Sequence, residues 1–136
     1  MKSVVLDTNA LLDLFVFNDF RAIHLKQALR EKRIDAVATA NTIEELEDVI
    51  SRPLFALDEN KQTQILSEWQ SLCRRVDDQS LTEAPWQCED TDDQVFLNLA
   101  YSIKPAILIS KDNALLKLAN QALKGGILIT SSYQVL

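Results

Sequence analysis

Val4-Val5-Leu6-Asp7-Thr8-Asn9 opens with three apolar residues and turns, without a spacer, to an acid, a hydroxyl and an amide. A short apolar run with no polar alternation is the pattern of a strand buried on both faces. The same unit recurs towards the other end of the chain, where Ala106-Ile107-Leu108-Ile109 runs into Ser110-Lys111-Asp112. Between and beyond these two, the sequence alternates strand-like and helix-like stretches. Helices are expected over 10–17, about 18–33, 42–51, a stretch from Asp58 to about 75, 92–103 and 113–123. Further strands are expected over 36–38 and 127–129, the second released by Gly125-Gly126. In the helix over 18–33, Phe20, Ile23, Ala28 and Leu29 supply an apolar face. In the one that Asp58 caps, Ile65, Leu66, Trp69 and Leu72 face the core. Pro53 ends the helix over 42–51 by disfavouring helical geometry in the residue before it, and residues 77–90, polar and holding Pro85, read as a loop.

Strands alternating with helices imply an α/β fold of three layers, with helices on both faces of a central, mostly parallel sheet of four or five strands. The chain has 136 residues, which suits one domain spanning 1–136. Hydrophobic residues make up 47% and charged residues 25%, a globular balance. No apolar run reaches the roughly 18 residues that cross a bilayer, and the N-terminus enters a strand rather than a signal peptide, so a cytoplasmic location is expected. Cys73 and Cys88 do not have zinc-motif spacing and read as two free thiols.

In an open parallel sheet ligands bind outside the carboxyl ends of the strands, where both Asp7 and Asp112 stand. Taken alone, each is accounted for as the cap of a following helix. Glu44, Glu45, Glu47 and Asp48 open the helix after the second strand, where acids complement the helix dipole. The four read equally as a solvated face, but Glu45 shares a face with Val49 and apolar neighbours, a position from which it could point inward. Glu89, Asp90, Asp92 and Asp93 precede a helix whose Phe96 and Ala100 put Asp93 on the edge of the buried face. Acids from four segments converging on one sheet edge repel one another unless a cation joins them. Oxygen ligands without His or Cys suit Mg²⁺ or Mn²⁺, and such ions support phosphodiester hydrolysis. The net charge of −6 is unusual for a protein that binds nucleic acid, and ions held by clustered carboxylates reconcile the two.

The chain resembles PIN-domain proteins from Val4 to about Val135. Residues 4–9 resemble the family's opening motif, 42–53 its second, 88–96 its third and 109–116 its fourth. The nearest likeness is to the bacterial branch of toxin components of toxin–antitoxin pairs. The resemblance implies an endoribonuclease whose acidic quartet is Asp7, Glu45, Asp93 and Asp112. Glu44 is the alternative to Glu45. Asp7, Asp93 and Asp112 would hold Mg²⁺ or Mn²⁺, and Glu45 would position the ion or orient the attacking water. Asp90 matches an additional acid of this branch, and Asn9 and Ser110 match small polar positions that support the site. Ala114 departs from the pattern, since relatives often carry a second acid there; one-ion and two-ion arrangements both stay open.

The implied partners are an RNA substrate, a cognate antitoxin and a second copy of the chain, with no membrane. Lys111 is a candidate phosphate contact, and Lys26, Arg30 and Arg33 form a stripe on one helix that can track an RNA backbone. Trp69 reads as core, whereas Trp86 sits in a loop and could stack a base. The principal alternative is a catalytically silent PIN-like module that binds RNA or protein. A haloacid-dehalogenase-like phosphotransfer site would need an acid where Asn9 stands. A phosphoryl-accepting receiver would need an acidic pair ahead of the first strand.

Overall fold

In the computed structural model, which describes residues 1–134, the opening apolar run forms β1 (Ser3–Leu6), the middle strand of a five-stranded sheet. Val135, where the family resemblance was expected to end, lies outside the described residues, as does Leu136. Val4 and Leu6 face one apolar cluster and Val5 the other, because successive strand side chains point to opposite faces. Both clusters are built of buried apolar side chains, so a strand between them has no place for polar alternation.

The chain continues through α1 (Thr8–Phe15), α2 (Ile23–Arg30), β2 (Asp35–Thr39), α3 (Ala40–Ile50), α4 (Glu59–Leu72), β3 (Cys73–Val76), α5 (Gln94–Ser102), β4 (Ala106–Ile109), α6 (Asn113–Leu116), α7 (Ala119–Lys124) and β5 (Ile127–Thr130). The strand order is β3-β2-β1-β4-β5, and every pairing is parallel. Helices α1 to α4 pack on one face, around Leu14, Leu29, Leu46, Ile50 and Trp69. Helices α5 to α7 pack on the other, around Phe96, Leu99, Leu115 and Ala122. The chain is thus the expected three-layer α/β/α fold. Among the described residues, no helix is long and apolar enough to cross a membrane.

Four expectations need correction. The helix after Asp58 stops at Leu72, and residues 73–76 form β3, pairing Ala36 with Cys73 and Thr39 with Val76. Arg74 and Arg75 are exposed there, as suits a charged edge strand, and Arg74 Nη2 lies 2.9 Å from Asp35 Oδ2 on β2. The stretch over 18–33 is not one helix. Asn18 has a positive φ of 48°, Asp19 caps a 3₁₀ turn, and α2 starts only at Ile23. Phe20 and Ile23 are consequently 82% and 60% exposed, and Leu25 joins Ala28 and Leu29 in the core instead. The helix expected over 92–103 is a 3₁₀ turn (Thr91–Asp93) followed by α5. The one expected over 113–123 divides into α6 and α7.

Both cysteines are free; Cys73 packs against the first cluster and Cys88 belongs to the second. Trp69 is core, at 1% exposure. Trp86 is half-buried and packs edge-on against Tyr101, with ring centroids 5.7 Å apart. It also covers Gly125 so closely that a Cβ there would come within 2.4 Å of its ring. That indole is a packing element, not a free stacking platform.

Candidate metal centre

Parallel pairing of Leu6 with Ile109 brings the ends of β1 and β4 level. The next residues, Asp7 and Ser110, therefore leave the sheet side by side. Asp7 is only 3% exposed and caps α1, its Oδ1 accepting from the Ala10 backbone N–H at 2.8 Å. Asp112 caps α6 in the same way, Oδ1 accepting from the Ala114 N–H at 2.8 Å. Ser110 is fully buried between them. Its Oγ accepts from the Asp112 N–H at 3.0 Å, and its hydroxyl bonds the Asp7 carboxylate. The capping role and membership of the cluster thus coexist, since a cap uses only part of a carboxylate's acceptor capacity.

Glu45 comes in from α3, and Thr8 Oγ1 donates to its Oε2 at 2.9 Å. Glu45 and Val49 both line the cleft, whereas Glu44 is exposed and does not. Asp90 caps the 3₁₀ turn that delivers Asp93, accepting from the Asp92 N–H at 3.0 Å. One carboxylate oxygen from each of Asp90, Asp93 and Asp112 lies within 4.8 Å of the other two. These residues close a cleft of about 280 Å³, also lined by Asn9, Asp92 and Arg52.

The electrostatics follow from that crowding. Burial raises the Asp7 carboxyl, with Asp112 and Glu45 adding to the rise, while the Ser110 hydroxyl and the Ala10 N–H offset part of it. Burial, followed by the neighbouring Asp112, Asp90 and Asp7, pushes Asp93 up to about 8. Asp112 moves below the ordinary carboxylate range because Asp93 and the Ala114 N–H both hydrogen-bond its charged form. Asp93 Oδ2 is buried and has no hydrogen-bond partner, an arrangement that is costly unless something else is bound there. An all-carboxylate donor set with an orphaned, buried oxygen fits a hard divalent cation such as Mg²⁺ or Mn²⁺.

The cations of the sequence reading are placed differently. Lys111 turns from the cleft to an ion pair with Asp13. Lys26 Nζ donates to Asn18 Oδ1 at 2.9 Å, Arg30 pairs with Glu68 at 3.1 Å and Arg33 with Glu31 at 3.4 Å. None of these four lines the cleft. Arg33 lies at the opposite end of the sheet, in an apolar groove of about 1030 Å³ with Ile34, Leu123 and Leu128. That groove is the larger cavity but holds no group of acids, so chemistry rather than size picks out the cleft.

Residues given no role from sequence are Thr8 and Arg52, both cleft residues, and the hydrogen-bonded pair of Asp13 and Tyr133; Asp92, one of the four acids noted ahead of the helix, also lines the cleft. Thr8 and Arg52 stand inside two of the quoted motifs. For Asp13 the available signal was an acid set among apolar helix residues, Leu11-Leu12 before it and Leu14-Phe15 after it. No curated protein matches the chain. Comparison with protein families does find a match, to the PIN domain over residues 3–114, so the chain belongs to the PIN-domain family.

Proposed function

We propose that this protein is a metal-dependent endoribonuclease acting at the carboxylate cleft, and that it serves as the toxin of a toxin–antitoxin pair. PIN domains are generally nucleases. The observation that carries the reading is the meeting of Asp7, Glu45, Asp90, Asp93 and Asp112 in one cleft. Asp93 Oδ2, buried and unpaired, stands among them. Asp93, Asp112 and Asp90 would hold the ion, with Asp7 lining the same cleft. A bound Mg²⁺ or Mn²⁺ polarises a phosphoryl oxygen and offsets the charge that builds up during hydrolysis.

The chain's own groups do the rest. Glu45, steadied by Thr8, accepts a hydrogen bond from the attacking water and orients it towards phosphorus. Arg52, at the cleft wall and held in an exposed pair with Asp48 at 3.0 Å, can exchange that partner for charge-assisted hydrogen bonds to a phosphate. Asn9, exposed at the cleft, offers an amide to the substrate backbone. Because ions neutralise the cleft, an acidic protein can bind a polyanion there, while the rest of its surface contributes little affinity.

A cognate antitoxin and a homodimer belong to the same reading. Exposed Phe17 and Leu54 lie beside the cleft, with the Phe17 ring 6.0 Å from that of Phe55, a cleft residue. This apolar border suits a protein partner that covers the active site. The test is to incubate the protein and Mn²⁺ with single-stranded RNA and DNA of one sequence, each labelled at the 5′ end. Discrete internal cuts in the RNA are expected. Cleavage of DNA alone, or stepwise shortening from an end, would overturn the endoribonuclease assignment.

A further inference from the structure

Asp13 is an acid in the middle of a buried apolar helix, itself 8% exposed, and its neighbours Leu12 and Leu14 belong to the core. The same oxygen, Oδ2, accepts from the Tyr133 hydroxyl and pairs with Lys111 Nζ. Lys111 Nζ also lies 5.9 Å from the centre of the Tyr133 ring. Three separate segments meet here: α1, the link between β4 and α6, and the residues after β5.

What makes the arrangement informative is the position of Lys111. It is the residue between Ser110, whose hydroxyl accepts from the Asp112 N–H, and Asp112, whose carboxylate lies within 4.8 Å of those of Asp90 and Asp93. The cleft next to it is lined by six acids and a single arginine. A lysine carries a compact charge on a flexible four-carbon stem, and the strongest attraction available to it would be that cluster. There its ammonium would stand where a divalent cation belongs. Instead it is held outside the cleft by Asp13, which Tyr133 fixes.

We propose that Asp13 and Tyr133 are positioning residues that sequester Lys111, keeping its ammonium out of the carboxylate cleft so that a divalent cation can occupy it. The inference rests on the metal-centre reading above. It adds a way in which a chain that carries a lysine beside Asp112 keeps its site open to metal. The Tyr133 hydroxyl leaves Asp13 one orientation, and Lys111 closes the contact from the other side. Part of the lysine remains in water, with 39% of its side chain exposed, and the pair with Asp13 is the direct ion pair that holds its ammonium, beside the Tyr133 ring and within the field of Asp19.

Mn²⁺ titration of the whole protein by calorimetry tests this without an activity assay. Asp13→Asn is expected to weaken Mn²⁺ binding at least about tenfold, a free-energy change of about 1.4 kcal/mol. Adding Lys111→Met to that variant is expected to restore binding to near the wild-type level. A merely structural role for Asp13 would not be reversed by removing the lysine. Tyr133→Phe, which keeps both charges, is expected to weaken binding less, and Lys111→Met to reverse that loss too. Lys111→Met alone is expected to bind Mn²⁺ at least as tightly as the wild type.

Wild-type affinity in Asp13→Asn, or weak binding that persists in the double variant, would overturn the proposal. So would a loss of affinity in Lys111→Met alone, a variant that keeps the inference open to refutation should Asp13→Asn fail to fold. Absence of Mn²⁺ binding in the wild type itself would instead sink the metal-centre reading on which it rests.

Discussion

Asp93 is the residue on which the site's behaviour turns. Its folded carboxyl holds a proton up to about 8, whereas in the unfolded chain it loses that proton near 4. Between those values the folded state binds more protons, so the contribution to stability is full below about 4 and is lost as pH rises through about 8. Asp7, raised by its burial, acts in the same direction. Asp112, shifted down, acts in the opposite one, its contribution being lost only as pH falls below the ordinary carboxylate range. In EDTA, urea denaturation should therefore show stability declining from pH 5 to pH 8, and Asp93→Asn should flatten that decline. An unchanged slope in the variant would mean that Asp93 does not carry the crowding.

At this scale much was legible from sequence. Asp7 and Asp112 follow apolar strands, and that alone sends them to the carboxyl edge of a parallel sheet. The choice between Glu44 and Glu45 needed the position of Thr8, a contact 37 residues away in the chain. The Asp13–Tyr133–Lys111 group could not be assembled from sequence, because it joins residues 120 positions apart, although Asp13 stands out as an acid among apolar residues.

The elements explain how so many acids hold their places. Helix α3, which carries Glu45, begins with a reciprocal cap. Thr39 Oγ1 accepts from the Thr42 N–H at 3.2 Å, and Thr42 Oγ1 accepts from the Thr39 N–H at 2.9 Å. Both threonines are buried, so water cannot replace those bonds. Thr39→Val keeps the shape and strips the cap, and is expected to cost about 1 kcal/mol, within a range of about 0.5–2. Chemical denaturation would check it; a variant as stable as the parent would show that the cap contributes nothing.

Patterning found α3 and α5, each with one face committed to the core, and β1 and β4, apolar runs buried on both faces. It failed over 73–76, where Cys-Arg-Arg-Val continues a helical pattern and only pairing with β2 makes it a strand. It failed again over 18–33, where the left-handed backbone at Asn18 and the 3₁₀ turn after it delay the α-helix to Ile23. In both places a tertiary contact or a single backbone angle overrides local propensity.

For the whole molecule, the overall architecture was the most legible level. A chain alternating apolar strands with amphipathic helices has few ways to bury both faces of its sheet. Net charge, by contrast, misleads if it is read as uniform. Much of the −6 is concentrated at one end of the sheet, where Asp7, Glu45, Asp90, Asp92, Asp93 and Asp112 line a single cleft. A folded chain tolerates such a concentration by protonating part of it or by binding cations, and only the second gives it chemistry on phosphodiesters.

The most direct test of that claim is cleavage of a mixed RNA pool by the purified, partner-free protein in Mg²⁺, Mn²⁺ or EDTA, with Asp93→Asn and Asp7→Asn alongside. The account predicts internal cuts with either metal, none in EDTA, and a loss of at least about 100-fold in rate for each variant while both remain folded. Cuts that persist in EDTA, or in both variants at the wild-type rate, would contradict it. Folded wild-type protein that cuts nothing with either metal would leave this cleft as a binding surface rather than a nuclease site.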